Sequence, residues 1–220
     1  MASQLDIHNY DRRYERVIIA LDNPVISRKN KKLILAFDKA CVLESLSKPR
    51  RIKIIETLVL VVKNYLKKDL EQATQKDLMQ VVATIQGRED YSPWTKQSYR
   101  SILKKFYKWL KYGDNYQQRH EYPKIVSWIV TNIKSKDKPK IEASALLAEE
   151  EIEKLLKVAV QPRDKAFISM LYELGARIGE IGNLRVKDVV KDKYSFIVNL
   201  RGKTGQRTPR IVISDPHVTA

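Results

Sequence analysis

The residues best suited to chemistry lie in a glycine-rich stretch, GARIGEIGNLRVKDV, from Gly175 to Val189. The chain has seven glycines, and five of them (Gly175, Gly179, Gly182, Gly202 and Gly205) fall between 175 and 205. Arg177 sits near a short helix start, and Glu180, three residues on, faces the same side. Read alone, the two are a surface ion pair. The stretch fails as a dinucleotide fingerprint, because its glycines stand at 175, 179 and 182 and it follows a helix. Gly202-Lys203-Thr204 resembles the end of a phosphate-binding P-loop. Position 197 is Ile rather than Gly, however, and Gly205 and Pro209 oppose a following helix. Read alone, Lys203 is a solvated turn residue.

A second constellation lies upstream in WTKQSYRSILKKFYKWLK. Lys96, Arg100, Lys104, Lys108 and Lys111 recur at steps of four or three, with no acid between Trp94 and Lys111. Such a stripe gains no i,i+4 ion pairs and carries repulsion between like charges. Phosphates of DNA would neutralise it; the alternative is a solvated helix face. Trp94, Ile102, Leu103, Phe106, Trp109 and Leu110 form the expected core face of the same helix. The whole chain is basic: 42 Lys and Arg against 26 Asp and Glu give a net charge of +16. The excess is spread along the sequence, so a basic disordered arm is not its source. Charge of this size points to nucleic acid or an anionic membrane surface as partner.

Several classes are excluded. One cysteine, Cys41, permits no intramolecular disulfide and no cysteine-based zinc site. The three histidines, His8, His120 and His217, are too few and scattered for a metal site, so no metal or cofactor is expected. No apolar run approaches the ~20 residues of a membrane helix. The N-terminus is polar where a signal peptide carries its apolar core, so the expected location is cytoplasmic.

These residues must be positioned by a chain of 220 residues, enough for one to two domains. Helices are expected over about 9–21, from Arg28 (capped by Ser27) to Glu44, from Ser47 to about Lys67, from Thr74 to Gly87, and from Ser92-Pro93 to Gly113. The polar, lysine-rich segment from Thr131 to Ala143 reads as a linker. Two more helices follow, in LLAEEEIEKLLKVAV and PRDKAFISMLYELG. Then YSFIVNL and QRTPRIVI read as a β-hairpin with Gly202 and Gly205 near its tip, preceded by a short strand around Val189. The first part is thus all-α and the second α+β.

A Gly-x-Arg-x-x-Glu-Ile-x-x-Leu-x-x-x-Asp-Val run followed by a hairpin with lysine at its turn resembles the tyrosine recombinase (phage integrase) family. Gly175, Arg177, Glu180, Ile181, Leu184, Asp188 and Val189 match the family's first arginine box, and Lys203 its hairpin lysine. ISRKNKKLIL and YSPWTKQSYRSILKKFYKWL resemble archaeal and viral integrases of the Xer type. The resemblance implies a multidomain fold: a helical extension (1–26), an all-α, SAM-like four-helix core-binding domain (27–130), a linker (131–143) and the α+β beginning of a catalytic domain (144–220). In the family a His-x-x-Arg box and the nucleophilic tyrosine follow the hairpin. Here His217 precedes Val-Thr-Ala, and the last tyrosine is Tyr194. The chain is therefore expected to be a truncated recombinase with no nucleophile of its own and to be inactive alone.

By the resemblance, Arg177 would fork onto the scissile phosphate, since its planar, permanently charged guanidinium fits two oxygens at once. Lys203 would donate a proton or contact the phosphate. Glu180 would orient the cluster without touching DNA. Lys96, Arg100, Lys104, Lys108 and Lys111 would bind DNA. The expected function is the DNA-binding portion of a site-specific recombinase working through a 3′-phosphotyrosyl link. The alternative is a non-enzymatic DNA-binding regulator derived from such a protein. Expected partners are duplex DNA and other protomers on it, with no membrane and no small-molecule substrate.

Overall fold

In the computed structural model, residues 6, 8–135, 142–202 and 205–211 are described. The chain forms two compact units, one of Asn9–Lys140 and one of Ile141–Ala220 with Met1–His8. The expected linker falls partly outside the described residues, as do Lys203, Thr204 and His217.

The first unit is helical: α1 (Tyr10–Ala20), α2 (Arg28–Leu43), α3 (Lys48–Asn64), α4 (Gln75–Gly87), α5 (Pro93–Tyr112) and the single turn α6 (Lys124–Ser127). Local chemistry sets the boundaries. Ser27 Oγ accepts the Asn30 N–H at 3.1 Å, and Ser92 Oγ accepts that of Thr95 at 3.2 Å. Pro93 occupies the first helical position of α5, and Gly113 ends that helix at φ +61°. Ile34 and Phe37 of α2, Ile55 and Leu58 of α3, Leu78 and Ile85 of α4, and Ile102 and Phe106 of α5 are fully buried together. The helix α1 belongs to this core through Val17 and Leu21. Trp94 departs from the expected core face. At the first turn of α5 it lies beyond the packed stretch and is 52% exposed.

A polar cluster ties α1, α2 and α3. Arg51 donates from Nε and Nη2 to the two oxygens of Asp38 at 2.8 and 2.5 Å. Tyr14 donates its hydroxyl to Asp38 at 2.5 Å and accepts Arg51 Nη2 at 3.0 Å. Burial, reinforced by Asp38, raises the Tyr14 pKa above its ordinary value. The Asp38 side chain is 6% exposed, so removing its cation strands a buried carboxylate. Arg51→Met should lower the free energy of unfolding by about 3 kcal/mol in a urea titration. Breaking the exposed Arg88–Asp90 pair should leave the midpoint unmoved.

The start of α4 gives an acid-side prediction. Thr74 Oγ1 accepts the Asp77 N–H, while Asp77 Oδ2 accepts the Thr74 N–H at 2.7 Å and its hydroxyl at 2.6 Å. The Thr74 hydroxyl, the Thr74 amide and Lys68 hold the Asp77 carboxyl down at about 2, from an ordinary 3.8. Because the folded value lies below the unfolded one, this contribution is complete above about pH 4 and is lost as pH falls through about 2. Thermal melts of Asp77→Asn and the parent should therefore differ at pH 7 and converge by about pH 2.

The second unit begins with α7 (Glu149–Val158) and α8 (Pro162–Leu174), followed by the single turn α9 (Ile178–Ile181). Gly175 closes α8 in the left-handed region, at φ +52°. Five short strands follow among the described residues: β1 (Val189–Lys191), β2 (Phe196–Val198), β3 (Leu200–Gly202), β4 (Gly205–Arg207) and β5 (Arg210–Ile211). The order β1-β2-β5 makes one antiparallel sheet, and β3-β4 is a separate hairpin. The expected single hairpin is thus divided: β2 pairs with β5 (Phe196 opposite Ile211), while β3 pairs with β4 (Gly202 opposite Gly205). Met170, Leu174, Ile181, Phe196, Val198, Leu200 and Ile211 form the core beneath them.

Candidate nucleic-acid interface

Arg177 precedes α9 in extended conformation, and its own N–H is taken by Glu180 Oε2 at 3.1 Å. Its guanidinium reaches back to Glu180 Oε1 at 2.9 Å. The two side chains differ in environment. That of Glu180 is 6% exposed and that of Arg177 is 65% exposed, so the pair is no ordinary surface ion pair. The carboxyl is held below its usual range, chiefly by the Arg177 amide, then by the Arg177 and Arg207 side chains. A cation presented to solvent from a buried, hydrogen-bonded carboxylate is oriented in advance, which suits a phosphate or another oxyanion.

The hairpin that carries Lys203 runs against the same carboxylate. A Cβ placed on Gly202 would stand 2.2 Å from Glu180 Oε1. Residue 202 therefore meets the Arg177–Glu180 pair, whereas Lys203 itself lies outside the described residues. Arg207 of β4, which no sequence motif singles out, donates Nη2 to Glu180 Oε2 at 3.2 Å. The β3–β4 register places Arg207 opposite Leu200, and spacing along the chain gives no sign of that pairing.

In the first unit the basic stripe of α5 divides. Lys96 and Arg100, with Gln86, Asn132 and Lys134, line a cleft of about 680 Å³ whose described lining holds no acidic residue. The Arg100 Nε is buried without a hydrogen-bond partner among the described residues, and burial lowers the pKa of the guanidinium. A buried guanidinium nitrogen without a partner is costly, and an anion brought to Arg100 would offset that cost. Lys96 donates to the Gln86 carbonyl at 2.8 Å at the rim. Farther along, Lys104 donates to Ile129 O at 2.9 Å and stands 4.3 Å from the Tyr122 ring centre, with Lys108 4.9 Å from it. These two lysines hold the segment that follows α5. Lys111 is exposed. Among the described residues no cluster of three or more His, Cys, Asp or Glu could hold a metal ion, and no helix is long and apolar enough to cross a membrane.

The chain is mostly helical with small antiparallel sheets, and it carries an arginine oriented by a buried glutamate. Residues 145–215 match the phage integrase family. Tyrosine recombinase XerA of Pyrococcus horikoshii is 28% identical over 163 residues, covering 63% of this chain and 57% of the relative. The crystal structure of the XerH site-specific recombinase bound to its difH substrate, a pre-cleavage complex, shares the fold. It matches with a TM-score of 0.51 and 15% identity, over 96% of this chain and 64% of that one. The chain spans less than two thirds of the length of these relatives.

Proposed function

We propose that the chain is the DNA-binding portion of a site-specific tyrosine recombinase. The observation that carries this reading is Arg177: its guanidinium is exposed, yet fixed to the buried Glu180 carboxylate. In a metal-free phosphoryl transfer, cations stabilise the charge that builds on the non-bridging oxygens. Arg177 supplies such a cation, and its fork can meet two oxygens of one phosphate. Lys203, which follows Gly202, is assigned the proton donor or a second phosphate contact. Glu180 orients Arg177 and stays off the DNA.

The helical unit is assigned the role of core-binding domain, with residues 144–220 beginning the catalytic domain. Lys96 and Arg100 are the proposed phosphate contacts of α5, supported by an Arg100 Nε with no partner, and a cleft with no acid, among the described residues. Lys111 belongs to the same face; Lys104 and Lys108 reach DNA only by leaving Tyr122. Other protomers on the same DNA are the further proposed partners. A gel-shift assay with a 30-base-pair duplex tests the reading. Binding is expected at 50 mM salt and should weaken tenfold or more by 200 mM, as for several neutralised phosphates. Absence of a shift at low salt, or indifference to salt, contradicts it.

A further inference from the structure

Glu180 serves two arginines from different elements. Arg177 reaches it from the start of α9, and Arg207 reaches it from β4. Arg207 is also fixed elsewhere: Nη1 donates to Leu174 O at 3.2 Å and Nη2 to Gly175 O at 3.4 Å. Those carbonyls close α8, where helix carbonyls lack partners within the helix. One guanidinium thus caps α8 and clamps the carboxylate that holds Arg177. The hairpin can approach this closely because residue 202 has no side chain. A Cβ there would also lie 2.9 Å from Glu180 Cδ.

The duplication has a physical consequence. If Glu180 had Arg177 as its only cation, turning that guanidinium toward a phosphate would strand a buried carboxylate, at high cost. With Arg207 in place, Glu180 keeps a partner while Arg177 exchanges one oxyanion for another. Two arginines and one carboxylate also leave the cluster with a net positive charge facing solvent on the Arg177 side.

We propose that Arg207 is a positioning residue: it anchors Glu180, and through it sets both the Arg177 guanidinium and the β3–β4 hairpin for a DNA phosphate. The functional half of this proposal rests on the phosphate-binding role given above to Arg177; the anchoring half does not. The charged groups facing Glu180 among the described residues are Arg177 and Arg207.

The test uses the 220-residue chain with Arg207→Ala, Arg207→Lys and Gly202→Ala. Carbon-13 NMR follows the Glu180 titration, and hydrogen exchange follows the Arg177 amide. In Arg207→Ala the Glu180 midpoint should rise, and the Arg177 amide should exchange about tenfold faster as its acceptor loosens. Arg207→Lys should restore part of both. Gly202→Ala, with Arg207 intact, should reproduce both effects by displacing the carboxylate. A loss of thermal stability with the Glu180 midpoint and Arg177 exchange unmoved would overturn the proposal, leaving Arg207 only a helix cap. Duplex binding separates the two readings. If Arg177→Ala weakens binding and Arg207→Ala does not, the positioning role is overturned. If the NMR effects appear and neither variant alters DNA affinity, the anchor stands and the phosphate role of Arg177 falls.

Discussion

Reversing the charge of Lys96 and Arg100 together should lower duplex affinity about a hundredfold at 100 mM salt. Each phosphate contact releases roughly 0.9 of a counterion, so at 0.1 M salt one contact is worth about eightfold and two about sixtyfold. Repulsion from the introduced glutamates adds to that. Both side chains lie at the cleft beside α5, and among the described residues that cleft has no acid and the buried Arg100 Nε no partner. The fold should tolerate the change, because the packed face of α5 is made by Ile102, Leu103, Phe106 and Tyr107. Anisotropy titration with a labelled duplex gives the affinity, and a thermal melt controls for folding. Lys104 is left out of the variant because it also meets the Tyr122 ring, while the melt controls for the bond that Lys96 gives to Gln86 O. An affinity equal to the parent's would reduce the stripe to a solvated helix face.

The second large effect concerns covalent chemistry. All eleven tyrosines of these 220 residues precede Lys203. The last, Tyr194, is 74% exposed between β1 and β2, where its N–H donates to Asp192 Oδ1 at 2.9 Å. The resemblance puts the family's nucleophile beyond the lysine hairpin, and without a nucleophile there is no covalent route. Incubated with a nicked suicide duplex, this polypeptide should bind and leave no adduct that survives SDS. An adduct mapped to Tyr194 and abolished by Tyr194→Phe would overturn the roles assigned here.

Much of the architecture was legible in the sequence because its signals are local. Ser27, Thr74 and Ser92 each mark a helix start through a hydroxyl that accepts an amide N–H, and Gly113 and Gly175 mark stops through positive φ. The spacing of Arg177 and Glu180 was legible for the same reason, since a single turn brings residues three apart together. What spacing could not give was burial. The sequence alone reads the pair as a surface contact, whereas Glu180 is enclosed by packing of α9 against α8 and β3. Arg207 was illegible because its partners, Leu174, Gly175 and Glu180, lie 27 to 33 residues away in sequence. Only the strand register brings them near. Helical period places Lys104 and Lys108 on a common face but says nothing of Tyr122, which comes from outside the helix to meet them.

Phosphate binding through Arg177 is tested by the salt dependence of duplex affinity for the parent chain and for Arg177→Ala. A contact to one phosphate contributes about 0.9 to the slope of log affinity against log salt. The parent should show a slope of several, and Arg177→Ala a slope smaller by about one, with an unchanged melting profile. A parent slope near zero would contradict DNA binding through phosphates. An Arg177→Ala slope identical to the parent's would remove Arg177 from the phosphate.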